Sequence, residues 1–160
     1  MPSDIVVVER DLLESGAFRE LSGTAKTVYF DFVMRCRVKR MKVKEGRKKE
    51  TIILNNGELE YCYSEAEKKG MTRPRFMRAL DQLIERGFID VVHSGSGGKK
   101  GDKSLYAISE RWRYWETEDF IENPRPKDNR NGRGFNRYWA DKRANIGNEN
   151  VNPTVNENVT

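Results

Sequence analysis

The chain has 160 residues, of which 36% are hydrophobic and 34% are charged, with a net charge of +5. This balance indicates one small domain with appendages and argues against a large-core enzyme. No apolar run approaches the roughly 20 residues that cross a bilayer, and the N-terminus lacks the apolar stretch of a secretory signal. We therefore expect a cytoplasmic protein with no membrane contact.

The first part of the chain is predicted to be helical. Residues 4–8 favour a short strand or an extended lead-in, and residues 10–16 favour one or two helical turns closed by Gly16. Ser22 suits the N-cap of a longer helix from residue 24 to about residue 37. Its apolar residues recur at three- and four-residue steps and form a core-facing stripe: Ala25, Val28, Tyr29, Phe32, Val33 and Cys36.

The positive charge is concentrated in the segment that follows this helix. Residues 35–50 hold nine Lys and Arg against two Glu, a local net charge of +7, while the rest of the chain has a net charge of −2. A localised basic segment indicates a polyanion-binding surface, and a solvated charge run is the other interpretation. Residues 38–49 form either an exposed β-ribbon or a mobile loop. We expect Arg47, Lys48 and Lys49 to contact DNA phosphates.

A strand, a turn and a second strand are predicted next. Residues 51–54 are β-prone, and Asn55-Asn56-Gly57 is a turn signal because Asn and Gly tolerate positive φ. Leu59, Tyr61 and Tyr63 alternate with polar residues, which predicts a strand over residues 58–63.

Two helices joined by a tight turn follow. Residues 64–69 favour a short helix, Gly70-Met71 a turn, and Thr72 the N-cap of a second helix that ends at Arg86 before Gly87. On the helical wheel Phe76, Ala79, Leu80, Leu83 and Ile84 form the buried face. The opposite face is predicted to carry Arg75, Arg78, Gln82 and Glu85.

A basic β-hairpin completes the pattern. Residues 88–93 and 104–109 are predicted strands around a Gly- and Lys-rich tip at residues 94–103. The aromatic residues of 111–115 are expected to close the domain, and the Asn- and Arg-rich residues from about 121 to 160 are expected to be disordered. Within that tail, residues 135–143 combine aromatic and basic side chains.

Helix, turn, helix and basic hairpin are the layout of a winged helix-turn-helix. The predicted fold class is therefore α+β, with a three-helix core and a small β-sheet bearing the wing. The predicted domain covers residues 1–120, with a basic insertion at 35–50, and a flexible tail covers residues 121–160.

The second helix carries the candidate DNA-reading residues. Arginine can bind guanine and glutamine can bind adenine through paired hydrogen bonds, so Arg75, Arg78 and Gln82 are candidate base contacts. Arg73 lies near the helix start and is expected to meet a phosphate, as are Lys99, Lys100 and Lys103 in the hairpin. The alternative interpretation of these arginines is an ordinary solvent-exposed helix face with no binding role. However, three arginines in the first turns oppose the helix dipole, so helix stability does not explain them.

No enzymatic motif accompanies these residues. His93 is the only histidine, and Cys36 and Cys62, expected to be buried reduced thiols, lack the spacing of a zinc site. There is no phosphate-binding GxxxxGK[ST] loop and no nucleophile motif. We expect no catalytic residue, metal, cofactor or small-molecule substrate.

Several pieces of the sequence together resemble a bacterial, phage and plasmid group of small winged-helix proteins, similar in style to the winged-helix domains of replication initiators. The resembling pieces are Leu21-Ser22-Gly23-Thr24-Ala25, Asn55-Asn56-Gly57-Glu58-Leu59, Gly70-Met71-Thr72, Gly87-Phe88-Ile89 and the glycine-rich wing. The resemblance implies binding to double-stranded DNA, in transcription regulation or in DNA replication of a mobile element. The basic segment at 35–50 is longer than the resemblance implies. A protein-interaction module with only unspecific nucleic-acid contact is the alternative function, and a homodimer stays open.

Overall fold

A computed structural model describes residues 6–41, 50–95 and 101–125. The described residues form an α+β fold with five α-helices and two small antiparallel sheets. In chain order the elements are α1 (Arg10–Glu14), α2 (Gly16–Arg19), α3 (Gly23–Arg35), β1 (Val38–Met41), β2 (Glu50–Ile53), β3 (Leu59–Glu60), α4 (Tyr63–Lys68), α5 (Arg73–Glu85), β4 (Ile89–His93), β5 (Leu105–Ile108) and a 3-10 turn at Arg111–Tyr114.

The two long helices begin at the predicted caps. The Ser22 hydroxyl accepts a hydrogen bond from the Ala25 amide at 3.2 Å, which satisfies one of the free N–H groups at the start of α3. Thr72 is the N-cap of α5, and Pro74 lies in the first turn, where no N–H is needed. Gly87 follows the end of α5 with φ +77°. These local signals set the positions of α3 and α5, which pack against each other.

Three strands form a sheet in the order β3-β5-β4. Leu59 pairs with Tyr106, and Ile89 pairs with Ile108. The pairing of β4 with β5 shifts register between Val91 and His93. The second sheet contains only β1 and β2, paired antiparallel from Val38↔Ile53 to Met41↔Glu50. Between the two predicted alternatives for residues 38–49, the described strand β1 supports the ribbon.

The core lies between α3, α5 and the inner face of the three-stranded sheet. Phe32, Phe76 and Phe88 are at most 1% exposed. Phe88 stacks on Trp112 with ring centres 6.0 Å apart, which confirms that the aromatic segment after β5 packs onto the domain. Gly87 is required here because a Cβ atom would lie 2.6 Å from Arg111 Cβ and 2.8 Å from the Trp112 nitrogen.

Three local predictions were wrong. The strand predicted over residues 58–63 contains only Leu59–Glu60, because the Glu65 carboxylate accepts from the Cys62 amide at 3.3 Å and the chain turns into α4. Gly16 does not close a helix; Ser15 caps α2, and Gly16 is its first residue. Cys36 and Cys62 are reduced but only half-buried. Burial still raises the pKa of the Cys36 thiol to about 11.

Residues 115–125 continue along the domain. Phe120 packs edge-on against Trp115 with ring centres 5.1 Å apart, and Arg111 donates to the Ile121 carbonyl at 2.8 Å. The Arg125 guanidinium lies 3.5 Å from the Asp81 carboxylate. The predicted tail thus begins with residues that contact the domain, and residues 126–160 lie outside the described part of the chain.

Candidate nucleic-acid interface

The first turns of α5 present three arginines to solvent. Arg75 and Arg78 are exposed, as the helical wheel predicted, and Arg73 at the helix start is exposed as well, while Phe76 on the opposite face is buried. Met77 is 41% exposed beside them and was not identified from the sequence. The helical wheel could have identified Met77, because it places this apolar side chain outside the buried face of α5.

These arginines are only lightly engaged by the protein itself. Arg73 Nε lies 3.1 Å from Glu67 Oε1, and Arg75 Nη2 donates to the Thr24 hydroxyl at 3.1 Å. Arg78 has no hydrogen-bond or ion-pair partner in the described part of the chain. An exposed ion pair contributes about 0–1 kcal/mol, so a phosphate or a base edge can replace these contacts.

Gln82 is placed differently from the prediction of a side chain projecting into solvent. It is half-buried, and its Oε1 accepts from the Ser22 backbone amide at 3.0 Å. This bond ties α5 to the start of α3, sixty residues earlier in the chain. Gln82 therefore holds α5 against α3, and the exposed face of the first turns of α5 consists of the arginines and Met77.

The charge order along α5 runs against the helix dipole. The first turn contains no acidic residue and the last turn contains no basic one. Asp81 and Glu85 are instead exposed in the C-terminal half. Negative charge is favoured at a helix N-terminus and positive charge at its C-terminus, typically by about 0.3–1 kcal/mol per charge. The arrangement lowers the stability of α5 and creates a cationic N-terminal end.

A buried polar cluster fixes α4 against α3. The Asp31 carboxylate is 4% exposed and accepts from the Tyr61 hydroxyl at 2.6 Å and from Lys69 Nζ at 2.5 Å. Burial and the hydrogen bond to Asp31 raise the pKa of Tyr61 above its ordinary value, so the hydroxyl remains a donor. Arg35 lies over the Tyr61 ring, 4.0 Å from its centre. This cluster could not be predicted from local sequence patterns, because Tyr61 and Lys69 are thirty or more residues from Asp31 along the chain.

The β4–β5 hairpin lies beside β3. Lys103 Nζ is 2.6 Å from the Glu60 carboxylate, and this hydrogen bond raises the pKa of the lysine. His93 Nε2 lies 2.7 Å from Asp102 Oδ1 across the hairpin. A Cβ atom on Gly95 would lie 2.5 Å from the Lys103 carbonyl carbon, so the two strands leave no room for a side chain there.

The other predicted phosphate contacts lie outside the described residues: Arg47, Lys48, Lys49, Lys99 and Lys100. Within residues 6–41, 50–95 and 101–125, no group of three or more His, Cys, Asp or Glu side chains could hold a metal ion. None of the described helices is long and apolar enough to cross a membrane.

Comparison with protein-family models, with curated proteins and with solved structures finds no match to this chain.

Proposed function

We propose that the chain binds double-stranded DNA as a winged helix-turn-helix protein. In this proposal α4 and α5 are the helix-turn-helix, α5 is the recognition helix, and the β4–β5 hairpin is the wing. The observation that carries it is the exposed arginine group on the first turns of α5, held by a buried framework and placed where it opposes the helix dipole.

The side chains on α5 suit contact with base edges. Arg75 and Arg78 are three residues apart, so both project from one side of the helix. Each can bind guanine through two hydrogen bonds, which discriminates against a wrong base by about 1–3 kcal/mol. Met77, between them in sequence, is an apolar group suited to a thymine methyl. Arg73, nearer the helix start, suits a phosphate.

The wing suits the phosphates next to the recognition helix. Lys103 is half-exposed, and its pair with Glu60 is a surface ion pair that a phosphate can displace. Phosphate contacts raise affinity for any duplex but carry no direct sequence information. The resemblance of the sequence to small winged-helix proteins supports a proposed role in transcription regulation or in DNA replication of a bacterial mobile element.

The first test is selection of bound duplexes from a random library, followed by titration at several salt concentrations. The parent protein is expected to enrich one sequence. Arg75→Ala and Arg78→Ala are each expected to reduce the preference for that sequence over random duplex by roughly tenfold or more, at the 1–3 kcal/mol of one bidentate contact. Arg10→Ala, which removes an exposed arginine on α1, is the matched control.

Two results would contradict the proposal. If no sequence is enriched and binding depends only on salt, the protein-interaction alternative with unspecific nucleic-acid contact is favoured. If a sequence is enriched but both α5 variants bind it as tightly as the parent, another surface recognises the DNA.

A further inference from the structure

The β1–β2 ribbon projects from the domain with its apolar side chains uncovered. Val38 is 57% exposed, Met41 43% and Ile52 42%, although all three lie within paired strands. Large apolar side chains on a two-stranded ribbon are not accounted for by folding, because they bury little surface in the monomer. The ribbon therefore has the character of a contact surface.

The base of the ribbon is held rigidly. Asn55 is 9% exposed, and its side chain accepts from the Arg37 amide at 2.7 Å and donates to the Arg35 carbonyl at 3.0 Å. The Leu54 amide also donates to the Arg37 carbonyl at 2.7 Å. The ribbon consequently leaves the end of α3 in a fixed direction.

The exposed charge on the ribbon is positive. Lys39 and Arg40 are exposed and have no ion-pair partner in the described part of the chain, and Arg37 lies 3.8 Å from Glu58. Lys39 pairs across the ribbon with Ile52, and Arg40 pairs with Thr51. Because cross-strand partners share a face, each face of the ribbon carries one of these two cations. On the face that carries Lys39, the exposed Ile52 lies directly across the ribbon from it.

We infer that the β1–β2 ribbon is a second DNA-binding element, which contacts the duplex flanking the site bound by α5. This inference rests on the proposed function. The mixture of cations and apolar side chains complements phosphates next to the sugar and base edges of a groove. A second copy of the chain is a poor occupant, because pairing two ribbons would bring together two segments that each have a net charge of +7.

The distance between α5 and the β1–β2 ribbon limits how far along a duplex the two elements can bind together. Arg75 contacts Thr24 at the start of α3, and the ribbon leaves the other end of that helix. The twelve steps from Thr24 to Cys36 span about 18 Å at 1.5 Å per residue. This length corresponds to roughly five base pairs at about 3.4 Å each. Because 18 Å is the length along the axis of α3, the ribbon is expected to extend the footprint by up to about five base pairs on one side of the α5 site.

The test uses the full chain, the double variant Lys39→Gln/Arg40→Gln, and two duplexes. One duplex is the minimal selected site, and the other extends it by ten base pairs at both ends. Both side chains are exposed, so the variant is expected to fold. The variant should lose roughly tenfold in affinity for the long duplex, with a dependence of log affinity on log salt that is shallower by about 1.8. Its affinity for the minimal site should be unchanged. Lys39→Arg/Arg40→Lys keeps both charges and should match the parent.

The outcomes separate this inference from the proposed function. If the parent binds neither duplex, both are overturned. If the parent binds the minimal site but the double variant leaves the salt dependence and the preference for the long duplex unchanged, only the ribbon inference is overturned. If sedimentation shows that the variant converts a dimer into a monomer without changing the salt dependence, the ribbon is a self-association surface instead.

Discussion

Replacing Arg75 by glutamate should separate the stability of α5 from the DNA binding that we propose for it. Arg75 is the third residue of the helix after the N-cap Thr72, whose side chain makes no capping hydrogen bond. Glutamate at this position forms the T-x-x-E pattern of a capping box, in which the carboxylate accepts from the N-cap amide. The same substitution replaces a positive charge by a negative one in the first turn.

The expected gain in stability follows from these two changes. Each charge near a helix N-terminus is worth about 0.3–1 kcal/mol, so exchanging plus for minus contributes about 0.6–2 kcal/mol. Losing the exposed hydrogen bond between Arg75 and Thr24 removes about 0.5 kcal/mol or more. The difference leaves an expected gain of about 0.1–1.5 kcal/mol in the free energy of unfolding of Arg75→Glu, which corresponds to an increase in Tm of up to roughly 6 °C.

The same variant is expected to lose DNA binding. The lost base contact and the added repulsion between carboxylate and phosphate should weaken binding to the selected site by at least about tenfold, as for loss of one bidentate pair. Urea unfolding measures the stability, and titration with labelled duplex measures the affinity. Arg75→Gln, which removes the charge without adding an acid, should give a smaller stability gain. A destabilised Arg75→Glu protein would show that the charge at this position does not oppose the helix dipole, and a variant that binds the selected duplex like the parent would show that Arg75 does not contact DNA.

Three further predictions concern the framework. Gly87→Ala should lower the free energy of unfolding by at least about 2 kcal/mol, because the new Cβ atom would force a left-handed φ on alanine and would clash with Arg111 and Trp112. Urea unfolding measures this change. Asn55→Ala should lower the free energy of unfolding by about 1–3 kcal/mol and increase amide exchange in the ribbon, because it removes two part-buried hydrogen bonds worth about 0.5–1.5 kcal/mol each. Burial raises the pKa of Asp90, but hydrogen bonds, that from Arg111 foremost, outweigh it and lower the pKa. The ionised Asp90 therefore stabilises the fold above its unfolded pKa near 3.9, and this stabilisation is lost as the pH falls through the lower folded pKa. Between pH 2 and pH 5, the free energy of unfolding of Asp90→Asn should depend less on pH than that of the parent.

The sequence predicted the parts of the fold that depend on neighbouring residues. The Ser22 side chain caps α3 over one helical turn, Thr72 occupies the N-cap position of α5 without a side-chain hydrogen bond, and Gly87 ends α5 through its own backbone conformation. The strand predicted through Tyr63 was wrong because alternation was the only local signal. The capping contact between Cys62 and Glu65 starts α4 before that strand can continue.

The sequence could predict only those residues of the candidate site that are defined by their exposure on a helix face. Arg75 and Arg78 follow from the helical wheel, because their positions oppose a strongly apolar face. The role of Gln82 did not follow, because its partner, the Ser22 amide, is brought to it only by the packing of α5 on α3. The same holds for Asn55, which the sequence marks as a turn residue but whose side chain fixes the ribbon through contacts eighteen and twenty residues away.

The proposed reading of base sequence by α5 can be tested by repeating the duplex selection with Arg78→Ala and comparing base preference position by position with the parent. We expect the variant to lose the preference for one guanine and to retain the preferences at the other positions. An unchanged preference at every position, at equal affinity, would contradict the proposal.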